Sequence, residues 1–295
     1  MRIAVVGVGD YGSRFAARLI HAGHDVTLIA RGKTLERLQT EGLTATQGGS
    51  TLQTPMHVDV LRATDNPAAV GPVDVVLMCV KLYQLDDAMA VASPLVGPHT
   101  TVLGFQNGVT AADRLSARFS AERVVGVAPA AVLAIGELPR GTSARTTAIV
   151  RAFQDAEVNA MEHNNVVEAI WGKFILVCGS TVAALARLPM GEVAKQPELR
   201  QLGRWASAEA VALANAKGLS FGREQIDKAD ENIDVVAGRN PAWRTSLLQD
   251  LDAGRPLELD AWSGGAVMLG RELGIPTPMN FAMYAALKPY EKGRA

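Results

Sequence analysis

The stretch that decides the fold runs from Val5 to Lys33: VVGVGDYGSRFAARLIHAGHDVTLIARGK. It continues Arg2–Val6 (RIAVV), a short apolar run of the kind a buried parallel strand shows. Gly7, Gly9 and Gly12 then give the spacing G-x-G-x-x-G, residues 11–22 read as a helix stopping at Gly23, and residues 25–30 (DVTLIA) read as a second strand. Glycines at this spacing allow a tight turn, close backbone approach to a pyrophosphate, and close helix–strand packing. The helix start adds unpaired N–H groups and a positive dipole end. The motif alone is weak, but the strand before it and the helix and strand after it supply the context it needs. It predicts a dinucleotide site built on Gly7, Val8, Gly9, Asp10, Tyr11 and Gly12; the alternative is a tight turn with only a structural role.

The end of the second strand decides which dinucleotide. An acid there would bind the ribose 2′-hydroxyl of NAD, whereas this chain has Ala30-Arg31-Gly32-Lys33. A guanidinium with a nearby ammonium suits a 2′-phosphate, so NADP(H) is expected. A solvated loop charge is the plainer reading of Arg31, but it leaves the missing acid unexplained.

Outward from this stretch, residues 73–80 and 100–105 look like further buried strands, with a helix over 84–95 between them. Alternating strands and helices predict an α/β Rossmann domain with a mostly parallel sheet and helices on both faces. Past residue 164 the apolar spacing becomes helical, over 166–188, 197–217, 225–236, 243–253 and 256–273. Two domains are therefore expected, 1–164 and an all-α 165–295.

The bulk numbers agree with a globular protein. The chain has 295 residues, 48% hydrophobic and 20% charged, with a net charge of -1, so nothing points to nucleic acid or an anionic membrane surface. Cys79 and Cys178 each sit in an apolar run and read as reduced core residues of a cytosolic protein, and no zinc-type spacing is present. The N-terminus enters a strand without a signal-peptide pattern, so a cytoplasmic location is expected. The longest helical apolar stretch, 174–186, is shorter than a bilayer span.

Ligands of open α/β sheets sit at the carboxyl ends of the strands. Lys81 and Asn107 fall there, to hold an anion and to hydrogen-bond substrate or nicotinamide; an ordinary charged helix start and an Asn-Gly turn are the alternatives. In the helical half, Trp171-Gly172-Lys173-Phe174 places a lysine in an apolar helix. Such a lysine commonly snorkels to the surface. Facing a cleft instead, it would polarise a ketone and donate the proton. Glu258, expected in the first turn of a helix starting at Pro256, either complements the dipole or orients Lys173. Gly264-Gly265 suggests close packing, against the lysine helix.

Together, G-V-G-D-Y-G, "AR" at Arg31, "VK" at Lys81, "QNG" at Asn107, "WGKF" at Lys173, "SLLQD" at Ser246 and "GRPLELD" at Glu258 resemble the ketopantoate reductases, across nearly the whole chain. The resemblance implies hydride transfer from NADPH to the C2 ketone of ketopantoate, at a site between a Rossmann and a helical domain, in the route to pantothenate. It places the catalytic lysine on Lys173 and the active-site glutamate on Glu258. Ser246 falls on the carboxylate-binding serine, Asn107 on the cleft asparagine, Lys81 on the cofactor lysine, and Arg31 on the 2′-phosphate contact. A small-molecule 2-oxo acid is the expected partner, and a homodimer is compatible with the chain.

The departures concern recognition. Val177 and Thr181 stand one and two turns after the lysine, and Met190 and Trp243 stand at two further positions, where asparagines occur in the family. Val, Met and Trp cannot match an amide that both donates and accepts; Thr181 is kept as a substrate contact. The stretch 123–137 also looks short. A less polar 2-oxo acid or ketone is therefore the main alternative substrate. A non-catalytic NADP(H)-binding sensor is opposed by retention of Lys173 and Glu258. A dehydrogenase of the 6-phosphogluconate type is opposed by Val177, where a Lys-x-x-x-Asn pair would put asparagine.

Overall fold

The computed structural model describes residues 1–45, 56–58 and 62–294. Its strands are β1 (Arg2–Val6), β2 (Asp25–Ile29), β3 (Leu43–Ala45), β4 (Met56–Val58), β5 (Arg62–Thr64), β6 (Val75–Met78), β7 (Thr101–Gly104), β8 (Val124–Pro129), β9 (Leu133–Glu137) and β10 (Ala160–Glu162). The helices of the same half are α1 (Asp10–His21), α2 (Gly32–Glu41), α3 (Pro67–Val70), α4 (Leu85–Ala92), α5 (Ala111–Phe119) and α6 (Ala144–Asp155). Helices α7 (Val166–Ala186), α8 (Met190–Val193), α9 (Pro197–Ala216), α10 (Arg223–Arg239), α11 (Ser246–Asp252), α12 (Ser263–Leu273) and α13 (Pro278–Leu287) follow. The chain divides into two compact units: residues 1–106 with 110–170, and residues 107–109 with 171–295.

In the first unit one eight-stranded sheet has the order β10-β9-β8-β7-β6-β1-β2-β5. Every pair in it is parallel except β8 with β9. Ile3, Ala4, Val5 and Val6 are all buried, as expected for a central strand covered on both faces. On one face Phe15 of α1 packs on Phe105 and Phe153, with ring centroids 4.9 and 5.4 Å apart. Burial of each such ring contributes about 1.5–3 kcal/mol. The strand order reverses at β1, which has β2 on one side and β6 on the other. The crevice for a ligand in such a sheet lies beyond the carboxyl ends of these strands.

Residues 124–129 and 133–137 form the one antiparallel pair of this mostly parallel sheet, and parallel β10 builds on it. Two sequence readings need correction. Helix α7 runs 21 residues with a mean hydropathy of 1.7, long and apolar enough to cross a bilayer, yet 61% of that window is buried inside the protein, so it serves as a core helix. The expected helix over 256–273 is broken. Leu257 N–H donates to the Glu291 carbonyl at 2.8 Å, residues Leu259–Ala261 form a single tight turn, and α12 starts only at Ser263. Glu258 therefore precedes that turn instead of lying in a first helical turn. Helix α13, which follows Pro278, is absent from the sequence reading.

Candidate active site

The glycine turn owes its shape to steric limits. Gly7 has φ +95°, and a methyl on it would come within 2.6 Å of the Val80 side chain. A methyl on Gly12 would run into the Gly7 carbonyl oxygen. Gly9 differs: nothing lies within 4 Å of its added methyl, so the turn is open on that side. Gly9 is also the N-cap of α1, and no side chain caps this helix. A tight turn, an open backbone face and an uncapped helix start are what a pyrophosphate requires, and the residues present fit a dinucleotide.

Around that turn, Val8 is half-buried and Asp10 is exposed in the first turn of α1. Tyr11 stacks near Phe15, with the Arg14 guanidinium 5.1 Å over its ring, and burial pushes its phenol above the usual range. Cys79 N–H donates to the Val6 carbonyl at 2.8 Å, which sets the loop carrying Lys81 beside the turn. Arg31 is the N-cap of α2, and Ala30 N–H donates to the Thr64 carbonyl at 3.1 Å. Arg31 and Lys33 are exposed and have no ion pair among the described residues, so both cations are open to a ligand.

Gln106 is a residue the sequence reading quoted but gave no role. It is 5% exposed, and its Nε2 donates to the Met78 carbonyl at 2.8 Å and the Val80 carbonyl at 2.9 Å. Its side chain thereby pins the loop after β6, which carries Lys81, to the end of β7. The signal was the "Q" of "QNG", a polar residue straight after an apolar strand.

The second unit brings three of the expected residues together. Lys173 Nζ donates to Asn107 Oδ1 at 2.8 Å, and Asn107 Nδ2 reaches Glu258 Oε2 at 3.5 Å, the outer limit of a hydrogen bond. Lys173 sits in α7 between Trp171 and Phe174, whose rings pack edge-to-face 5.8 Å apart and are both buried. Those rings fix the helix, and the half-buried lysine directs its ammonium to Asn107. Burial draws its amine down to about 8, and the Glu258 carboxylate opposes that shift. Glu258 is 4% exposed. Its segment is tied down by the chain end, through Leu257 N–H to Glu291 and Arg294 N–H to the Gly254 carbonyl at 2.9 Å. Gly108 lies against Ala261, 3.2 Å from its Cα to an added methyl, so the Asn107 loop abuts the Glu258 segment. The Gly264-Gly265 pair answers to the turn before α12 more than to the lysine helix: an added methyl would meet the Leu259 carbonyl oxygen at 2.7 Å on Gly264 and the Asp260 carbonyl oxygen at 2.5 Å on Gly265, whereas Phe174 would stay in ordinary contact at 3.5 Å.

Two other expected residues stand apart in their hydrogen bonding. Thr181 is fully buried, and its hydroxyl donates to the Val177 carbonyl at 3.2 Å. Ser246 is the exposed first residue of α11, after Thr245, which caps the Leu248 N–H; the Ser246 hydroxyl makes no hydrogen bond among the described residues. Met190, 1% exposed, packs in an apolar cluster with Val182, Ile233 and Met283, and Trp243 covers that cluster. Met190 N–H donates to the Trp243 carbonyl at 2.9 Å, which joins the two segments.

Residues 3–134 match the family model described as ketopantoate reductase PanE/ApbA, and residues 165–291 match that of its C-terminal part. A 2-dehydropantoate 2-reductase of Caulobacter vibrioides is 32% identical over 97% of each chain. A solved 2-dehydropantoate 2-reductase of Geobacter metallireducens is 26% identical, with a TM-score of 0.87 over 98% of this chain and 99% of that one. A D-mandelate dehydrogenase solved with NADH and anilino(oxo)acetate shares the fold, with a TM-score of 0.88 over 99% and 98% of the two chains, at 20% identity.

Proposed function

The chain belongs to the ketopantoate reductase family, and on that premise we propose that it reduces a 2-oxo acid to the 2-hydroxy acid with NADPH, with ketopantoate as first substrate. It is an oxidoreductase acting between a CH–OH group and its carbonyl with a nicotinamide cofactor. The observation that carries the reading is the lysine held by Asn107 beside a buried carboxylate.

The first unit, as the NADP(H)-binding domain, takes the pyrophosphate on the backbone of Gly7, Val8, Gly9, Asp10, Tyr11 and Gly12, the 2′-phosphate on Arg31, and an anionic group on Lys81. When bound, the nicotinamide supplies the hydride. The second unit, as the catalytic domain, supplies the proton. A ketone oxygen gains negative charge as carbon is reduced, and the Lys173 ammonium stabilises that charge and transfers a proton to it. A lysine drawn down to about 8 gives its proton more readily than a free one while remaining mostly charged at neutral pH. Glu258 keeps the ammonium form favoured and accepts a substrate hydroxyl. Asn107 retains one N–H and one lone pair for substrate or nicotinamide. Ser246 offers its unengaged hydroxyl to the substrate carboxylate, and Thr181 retains acceptor lone pairs only.

One observation favours a second reading within the same chemistry. After Lys173 the helix presents Val177, and the hydroxyls of Ser180 and Thr181 both donate to the Val177 carbonyl, at 3.1 and 3.2 Å. That face has no polar hydrogen left over for a substrate hydroxyl, which suits a less polar 2-oxo acid. Oxidation of NADPH followed at 340 nm, with ketopantoate beside branched and aromatic 2-oxo acids, separates the two. The preferred reading expects ketopantoate to give the highest kcat/KM. A higher value for an apolar acid would establish the second reading, and no turnover of any of them would overturn both.

A further inference from the structure

We propose that residues 291–294 act as a clasp that positions Glu258: their backbone closes the loop in front of it and holds its carboxylate at the Lys173 site. The inference rests on the reading of Lys173 as the acid and Glu258 as its charged neighbour.

The loop that leads from α11 to Glu258 has little of its own to hold it. Residues 253–258 (AGRPLE) form no helix or strand. Gly254 turns the chain with φ +65°, and Pro256 has no N–H to give. The start of the loop is bonded locally, with Arg255 N–H donating to the Asp250 carbonyl at 2.9 Å. Among the described residues, both long-range backbone bonds of this loop go to the segment 291–294. Leu257 N–H donates to the Glu291 carbonyl at 2.8 Å, and Arg294 N–H donates to the Gly254 carbonyl at 2.9 Å. They hold the loop at Gly254 and at Leu257, the residue before Glu258. A carboxylate that is 4% exposed, on a loop with so few internal bonds, depends on them for its place.

The segment is shaped for that contact. Gly293 has φ +77°, and a methyl on it would come within 2.6 Å of the Gly254 carbonyl oxygen, so backbone lies directly on backbone. Glu291 N–H donates to the Lys288 carbonyl at 3.1 Å and Gly293 N–H to the Tyr290 carbonyl at 3.0 Å, which curls the segment back toward the loop. The Arg187 guanidinium lies 5.1 Å over the Tyr290 ring, and Arg187 directly follows α7, the helix of Lys173. One segment thus ties the exit of the lysine helix to the residue before the glutamate. Gly293 and Arg294 lie past residue 291, where the match to the family model stops, so that half of the clasp falls outside the family pattern. The other charges of the region are paired among themselves, Arg255 with Asp250 at 2.8 Å and Lys288 with Glu291 at 2.7 Å, and Glu258 is the charged group that acts on Lys173. A displaced Glu258 is therefore read at the lysine.

The test opens the clasp with and without Glu258. Arg294→Pro deletes the N–H that meets Gly254, and Gly293→Val puts a branched side chain onto the Gly254 carbonyl. Each is made in the full chain and again together with Glu258→Gln. The substrate-free protein is acetylated with trace acetic anhydride across pH 6–11, and the Lys173 peptide is quantified by mass spectrometry. With Glu258 present the midpoint should fall by about 0.5 pH unit in both variants; in the Glu258→Gln background it should not move. The kcat on the best 2-oxo acid should fall about five- to tenfold, again only where Glu258 is present, with the Kd for NADPH within about twofold of wild type. Arg294→Ala, which keeps the N–H, should return both readouts to their wild-type values. If Gly293→Val does not fold by circular dichroism, Arg294→Pro decides. A midpoint and a kcat that stay at the wild-type values in the folded variants, or that change equally in the Glu258→Gln background, overturn the clasp. A wild-type enzyme inert on every 2-oxo acid, with the midpoint still falling only where Glu258 is present, would sink the substrate reading and leave the clasp standing.

Discussion

The glycine turn of the first unit and the lysine site of the second solve the same kind of problem by opposite means. The turn acts through backbone: its three glycines matter for the atoms they lack, and one of them, Gly9, leaves open space. The lysine site acts through side chains drawn from three separate parts of the chain, with 66 residues between Asn107 and Lys173 and 151 between Asn107 and Glu258. The first device is local and intolerant of added atoms. The second is non-local and tolerant in fold, because its residues act at their polar tips.

That contrast can be broken most directly at the glycines. Gly12→Ala should destabilise the protein by about 3 kcal/mol, since the methyl has only backbone to displace. Gly9→Ala should cost less than about 1 kcal/mol in stability while weakening NADPH, because its methyl fills the open side of the turn. Thermal unfolding and NADPH titration of the two variants check this. Equal stability losses would show that the turn is not steric in origin.

The lysine site carries a stability cost instead. The folded amine is drawn down from 10.5 to about 8, so between those values the folded protein binds fewer protons than the unfolded chain. Stability should therefore rise with pH across that window. Lys173→Met should remove that rise and be more stable at pH 7, by on the order of 1–3 kcal/mol. Urea unfolding at pH 7 and pH 10 measures it; a variant less stable at pH 7 would contradict the assigned burial. The same amine should make kcat/KM fall above about pH 8, where the acid loses its proton.

Arg31→Ala should weaken NADPH by about 1–3 kcal/mol and leave NADH nearly unchanged, as isothermal titration with both cofactors would show. Equal losses would remove the 2′-phosphate assignment. The smallest effect should come from Thr181→Val, at under about 1 kcal/mol in stability, because the hydroxyl bonds only within its own helix. An increase in KM for ketopantoate in that variant would show that its remaining lone pairs meet substrate.

The same contrast explains what could be read from sequence. β1, the turn, α1 and β2 were legible because every signal lies within fewer than thirty consecutive residues and matches one steric template. Lys173, Asn107 and Glu258 were legible as separate candidates, each with an ordinary alternative, and the resemblance to a family supplied their roles. Their assembly was legible only in part, as Glu258 orienting Lys173 and through the resemblance, since no local rule brings an Asn-Gly loop to a lysine 66 residues away. The break before α12 was missed for a related reason. Pro256 suits a helix start, but the Leu257 N–H finds its partner at Glu291, near the end of the chain. Met190 and Trp243, which read from sequence as altered recognition, share one apolar cluster in which Met190 is buried and which Trp243 covers.

The central claim is that the second unit gives the proton while the first holds the cofactor, and Lys173→Ala tests it in one preparation. The account expects kcat on the best 2-oxo acid to fall about 10²–10⁴-fold, with the Kd for NADPH within about twofold of wild type. A kcat within a few-fold of wild type would contradict the claim.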